Sequence, residues 1–214
     1  MAAPVPSLPP DAATAVEPRI ARTRCALETG LWELLQDHDL ADISVSALCR
    51  QAGVHRTTFY GHHRNIIDFA ASVYANVVNG LGAVDVDQRG TGKTQLEVGV
   101  LYAEALHRIL EHTFAERRVY RALFHTGTFH AVLADGLRPR FLLALYAWQA
   151  YGLVPDMDCE VAAAFLGGAY ASWIEQWVSG EDGDAEAWLA SLTNLLPGWW
   201  PRDGFPSPEK PAQR

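Results

Sequence analysis

The residues best equipped for chemistry in this sequence form one short run, His55-Arg56-Thr57-Thr58, directly after Ala52-Gly53-Val54. An arginine guanidinium can donate two parallel hydrogen bonds to guanine, and threonine methyls can meet the thymine methyl. Each good contact of this kind discriminates between bases by roughly 1–3 kcal/mol. Tyr60, His62 and Arg64 follow on the same segment and suit phosphate oxygens, which fix register without reading sequence. Ser44 and Ser46, upstream of the glycine, can add hydroxyl and backbone N–H contacts to a phosphate. What these residue types offer together is recognition of double-stranded DNA.

Such side chains need a short helix presented by a tight turn. Ile20, Leu27, Leu31, Leu34 and Leu35 recur at helical spacing and predict a first helix over about Arg19 to His38. Asp37-His38-Asp39 breaks the pattern, and Ser44 offers the N-cap of a short second helix that turns Val45, Leu48 and Ala52 inward. Gly53 ends that helix, because a left-handed backbone is free of strain only at glycine, and a third helix is expected from about His55 to His62. Two short helices joined by a glycine turn make a helix-turn-helix, whose second member enters the major groove. A fourth helix, capped by Asn65, should run through Ile66, Phe69, Val73 and Val77 to about Leu81. A glycine between two short amphipathic helices also occurs in many helical domains that bind no DNA.

The run from Ile43 to His63 resembles the DNA-binding head of the TetR family of bacterial repressors. That family carries the form T-V-x-x-I-A-x-x-A-G-V-S-x-x-x-(L/F)-Y-x-(H/Y)-F, and here Gly53, Val54, Phe59, Tyr60 and His62 fall in register with it. The resemblance covers about residues 19 to 80 and implies an all-helical homodimer with a divergent C-terminal domain for ligand binding and dimerisation. Three positions depart from it. His63 replaces the usual Phe, which should loosen packing under the recognition helix. Ile66 stands where a phosphate-touching Lys is usual, so Arg64 or His62 should take part of that role. Asp39 replaces a common Gly.

The net charge of −8 excludes a protein that coats nucleic acid by electrostatics alone. Glu17 to Asp68 is nearly neutral, whereas Lys93 to Glu186 is strongly acidic, so a nearly neutral head precedes an acidic body. An apolar content of 49% and a charged content of 20% suit a soluble globular protein. The longest apolar stretch, Val161 to Ile174 between Glu160 and Glu175, is too short to cross a bilayer. Cys25, Cys49 and Cys159 are odd in number, far apart and without a CxxC pair, which suits reduced thiols and a cytoplasmic location. The domain reading is a disordered leader over 1–17, a helix-turn-helix domain over 18–64, a connecting helix over 65–84, a ligand-binding and dimerisation domain over 94–197 and a flexible tail over 198–214. Trp199 and Trp200 are placed to fold back on the body. Helices are expected over Leu96–Thr113, Glu116–Phe124, Thr128–Tyr151 with an interruption before Pro139, Asp158–Val178 and Ala185–Leu196.

Other constellations carry little. Gly92-Lys93-Thr94 resembles the end of a phosphate-binding loop but lacks the earlier Gly and a preceding strand. His107 and Glu111 have a metal-ligand spacing with no further ligand, and a solvated helix face explains them. Ser172, His125 and Asp135 could form a triad on paper, without a nucleophile-elbow motif. Neither an enzyme nor a bound cofactor or metal is therefore expected. Aromatic residues crowd the body, and a pocket for a small-molecule effector is expected among Phe124, His125, Phe129, Tyr146, Gln149, Tyr170 and Trp173. Small residues in Ala162-Ala163-Ala164 and Gly167-Gly168 give one helix a surface for close approach. Phe165, Gly168, Ser172 and Trp177, with Trp188 and Leu192 of the next helix, are the expected dimer interface. The whole reads as an all-α regulator, most simply a ligand-responsive repressor on a near-palindromic operator. The alternative is a ligand-binding or interaction protein of the same fold with weakened or lost DNA recognition.

Overall fold

The computed structural model describes residues 13–83, 95–150, 152–181, 183–200 and Phe205. Among these every regular element is helical: α1 (Ala13–Asp37), a 3-10 turn (Leu40–Asp42), α2 (Val45–Gln51), α3 (Arg56–Tyr60), α4 (Ile66–Leu81), α5 (Gln95–Ala115), α6 (Arg117–Phe124), α7 (Phe129–Ala150), α8 (Cys159–Ser179) and α9 (Ala185–Thr193). The chain divides into two compact units, residues 1–69 and 70–214, with the boundary inside α4. No helix among the described residues is long and apolar enough to cross a membrane.

In the first unit α1 starts at Ala13, so the end of the expected leader is helical, while residues 1–12 lie outside the described residues. Leu27, Leu31, Leu40, Ile43, Leu48, Phe59 and Phe69 form the core. Ile20, placed on the same face by its spacing, is exposed instead. The 3-10 turn was not legible in the sequence, yet it buries Leu40. Asp39 precedes it at φ −71° and ψ 148°, a conformation open to any residue, so replacing the family's Gly costs nothing there.

In the second unit α7 and α8 run antiparallel. His130 Nε2 meets Ser172 Oγ at 2.9 Å, and Arg138 bonds Glu160 at 2.8 Å, so the pairing runs in opposite senses along the two helices. Between these pairs a Cβ on Gly167 would stand 2.7 Å from the Ala134 carbonyl oxygen. The small residues of α8 thus serve first to let α7 approach within the same chain, and Ala163 and Ala171 are fully buried. α7 passes through Pro139 without the expected interruption. Pro139 and Asp135, whose carbonyl loses its helical donor, are both exposed, so solvent can satisfy that carbonyl. Asp158 caps α8 by accepting from the N–H groups of Glu160 and Val161, and Asp184 caps α9 through Ala187. The far end of α8 is closed by Arg121, which donates to the carbonyls of Val178, Ser179 and Gly180. A cation at a helix C-terminus also opposes the negative end of the helix dipole.

Candidate nucleic-acid interface

The helix-turn-helix is built by local bonds. Ser44 Oγ accepts from Ala47 N–H at 3.1 Å and starts α2. Gly53 has φ 63°, and the N–H of Val54 returns to the Cys49 carbonyl at 2.9 Å, which turns the chain sharply into α3. The His55 carbonyl accepts from the N–H groups of Thr58 (3.0 Å) and Phe59 (3.3 Å), while its side chain makes no cap bond. α2 is tied to α1 by Gln51 Nε2 donating to Glu33 Oε2 at 2.6 Å.

One inward residue fixes α3. Phe59 is 0% exposed, with ring centroids 5.7 Å from Phe69 and 5.6 Å from His63. Because Phe59 points inward, His55, Arg56, Thr57, Thr58 and Tyr60 all lie at the surface, as do His62 and Arg64 beyond. Ser44 is exposed and Ser46 half-buried. Arg56 makes no ion pair among the described residues, so its guanidinium is available to a partner. Arg64 differs: its backbone N–H and its Nη2 both bond the Asp68 carboxylate at 3.1 Å.

Asp68 occupies the start of α4, where Asn65 Oδ1 accepts its N–H at 2.8 Å. The bonds from Arg64, backbone first, hold the Asp68 carboxyl below its ordinary pKa, so it is charged at neutral pH. An anion therefore stands on the first turn of α4, two residues after half-buried Ile66, the position at which the resemblance expects a cation. Ile66→Lys is expected to tighten DNA binding and to steepen the dependence of log K on log salt by about 0.9 per head, the effect of one added phosphate contact. Its methylene stem can cover the apolar surface that Ile66 covers. Fluorescence anisotropy across a salt series measures the slope, and an unchanged slope would refute the placement of residue 66 beside a phosphate.

His63 does not loosen the packing. Its ring lies 4.8 Å from that of Phe69, nearly edge-on, and it completes the aromatic group around Phe59. Burial lowers its pKa below the ordinary histidine value, opposed by Asp68 and assisted by His62 and Arg24. The unfolded chain therefore takes up a proton more readily than the folded head. Stability from this site is complete above about pH 6.5 and is lost as pH falls through the folded value. Melting curves between about pH 8 and pH 5 should show the head weakening on acidification, and less so in His63→Phe.

Of the expected effector residues, Phe124 and Phe129 pack together at 4.8 Å, and Tyr170 packs on Trp173 at 6.0 Å. All four are buried. Tyr146 is 50% exposed. His125 is exposed, its Nδ1 against the Arg121 carbonyl. Gln149 is occupied in holding the α7–α8 connection, where Nε2 donates to the Met157 carbonyl at 3.2 Å and Oε1 accepts from Cys159 Sγ at 3.4 Å. A larger aromatic group extends beyond that set. Trp200, expected to fold back on the body, does so: it packs on Tyr102, Phe141, Trp148 and Tyr170 and is 2% exposed. Residues 201–204 and 206–214 lie outside the described residues, as does Gly92-Lys93-Thr94. Ser172 meets His130 rather than His125, so the paper triad is not assembled. His107 and Glu111 form an exposed pair at 3.4 Å, and no metal-binding group occurs among the described residues.

No family model and no curated protein matches the sequence. Solved structures do. RolR in complex with resorcinol matches with a TM-score of 0.61 at 19% identity, over 90% of this chain and 98% of that one. RolR without ligand gives 0.58 at 18% identity, over 88% and 98%. The TetR family repressor AlkX from Dietzia sp. strain DQ12-45-1b, implicated in biodegradation of n-alkanes, gives 0.53 at 19% identity, over 80% and 91%. The fold is that of TetR-family repressors.

Within this TetR fold the expected dimer residues separate into two sets. Trp177 is buried and donates from Nε1 to the Leu110 carbonyl at 2.9 Å, and Leu192 is also buried, so both belong to the chain's own core. Phe165 is 72% exposed, Ser172 is exposed, and Gly168 and Trp188 are partly so. Val161 and Leu195 add further exposed apolar surface.

Proposed function

We propose that this TetR-fold chain is a DNA-binding transcriptional regulator, a ligand-responsive repressor that grips a near-palindromic operator as a homodimer. The observation that carries the reading is the α3 surface. Phe59 is wholly inside, and Arg56, Thr57 and Thr58 stand outward at the helix start with Arg56 unpaired among the described residues. His55, Arg56, Thr57 and Thr58 read bases, while Ser44, Ser46, Tyr60, His62 and Arg64 hold phosphates. Phe165, Gly168 and Ser172 on α8, with Trp188 on α9, form the interface with a second copy, since exposed apolar surface of this kind calls for cover. A monomeric mass at micromolar concentration would remove that part.

The effector is a small molecule bound in the second unit that favours a head separation unfit for the operator, which requires different affinities for the two states. RolR's complex with resorcinol makes small aromatic compounds the first class to screen. The protein works in the cytoplasm without a cofactor and catalyses no reaction. A gel shift with the DNA upstream of its own gene, with and without candidate effectors, tests the reading. Absence of a specific shift at low salt would favour the second reading, a ligand-binding protein that has lost DNA recognition. The charged Asp68 on the first turn of α4, with Ile66 rather than a cation at its start, and the net charge of −8 are the observations on that side.

A further inference from the structure

Trp200 stands where three helices converge: Tyr102 comes from α5, Phe141 and Trp148 from α7, and Tyr170 from α8. Packed this tightly, the group should be an ordinary core, but its polar atoms are mismatched. Trp148 Nε1, Tyr170 Oη and Trp200 Nε1 are all buried and make no hydrogen bond among the described residues. Both indoles carry an N–H donor and no acceptor, so Trp200 cannot satisfy Trp148 however the ring turns. Burial raises the Tyr170 pKa far above its ordinary value and keeps its hydroxyl protonated, yet that hydroxyl finds no acceptor on either indole and accepts from neither. Native cores seldom leave several such groups unmet side by side.

The way Trp200 reaches this place also differs from the rest of the core. It follows α9 on a segment outside any helix, and its own N–H closes a turn within that segment, to the Pro197 carbonyl at 2.9 Å. Leu195, five residues before it, is 74% exposed, while Leu196 is buried. Withdrawal of the Trp200 indole would therefore break no helical hydrogen bond. It would leave a ring-walled space among Tyr102, Phe141, Trp148 and Tyr170, the last two of which carry unmet polar atoms.

We propose that Trp200 is a built-in occupant of the effector site and that the effector is a flat aromatic compound, one or two rings in size, carrying an acceptor oxygen that replaces the indole. The oxygen takes the hydrogen bonds from Trp148 and Tyr170 that Trp200 cannot take, which is why the ligand displaces a side chain of matching shape. This rests on the reading of the second unit as the effector-binding part.

The test uses the full chain labelled with 5-fluorotryptophan and followed by fluorine NMR. Trp200→Phe assigns the Trp200 resonance among the seven tryptophans, and Trp200→Tyr does so if that variant folds poorly. The probes are 1-indanone, which has the outline of indole and a carbonyl acceptor, and indane, which has no acceptor. Saturable 1-indanone binding should move the Trp200 resonance to a solvent-exposed position. 1-Indanone should bind about tenfold more tightly than indane, and Trp148→Phe with Tyr170→Phe should bring the two near parity. Binding that leaves Trp200 buried, equal affinity for both probes in the unsubstituted chain, or no binding up to the solubility of 1-indanone each overturns the proposal. No DNA enters the measurement, so a failure of operator recognition would show in the gel shift and not here.

Discussion

Replacing Arg56 by Ala is expected to lower affinity for the specific operator by about 5- to 150-fold per half-site, the equivalent of about 1–3 kcal/mol for a lost bidentate base contact. In a symmetric dimer the loss counts on both half-sites. Binding to unrelated DNA should fall far less, because only one cation per head is removed. Arg56 is singled out over the other arginines of the segment by geometry. It is exposed at the start of α3 with no ion pair among the described residues, whereas Arg64 is held by Asp68. Arg56→Lys separates the two roles of the residue, since it keeps the charge and loses the planar fork. It should recover binding to unrelated DNA but not to the operator. Anisotropy of the unsubstituted chain and both variants with specific and scrambled duplexes, at one salt concentration, measures the six affinities. Equal losses on both duplexes would reassign Arg56 to a phosphate.

Phe59→Ala should abolish operator binding by another route. A fully buried Phe cut to Ala costs about 3–5 kcal/mol, a large share of the roughly 5–15 kcal/mol that holds a domain folded. The ring is what fixes α3 against Phe69 and His63, so its loss frees the whole base-reading surface at once. The second unit has its own core, and it should keep its helices and its self-association. Hydrogen exchange mapped along the chain should show protection lost over α2 and α3 and kept over α5 to α8. A variant that still shifts operator DNA with unaltered affinity would mean that α3 does not depend on Phe59.

Most of the head was legible because its determinants are local. The φ of 63° at Gly53, the Ser44 cap and the Asn65 cap are each satisfied within a few residues, and the aromatic at position 59 sits where one helical turn must face inward. The same locality explains the errors. Periodicity marks an apolar residue but does not say whether its own chain or a second copy covers it. Trp177 and Phe165 looked equivalent on α8, yet one bonds Leu110 inside the unit and the other stands in solvent. Arg121 capping α8 and the particular partners on α5, α7 and α8 that receive Trp200 are contacts between residues far apart in sequence, which no short pattern announces. His63 read as a loss of packing because residue type alone hides that an imidazole whose pKa burial lowers can pack edge-on in the aromatic group where the family's Phe would sit. By itself the sequence determined the all-helical class and the helix-turn-helix with its outward residues, since backbone propensity and capping act over a few residues. Only the tertiary structure decided which apolar faces remain open, which cations are already paired and what fills the aromatic centre of the second unit, because those depend on long-range packing.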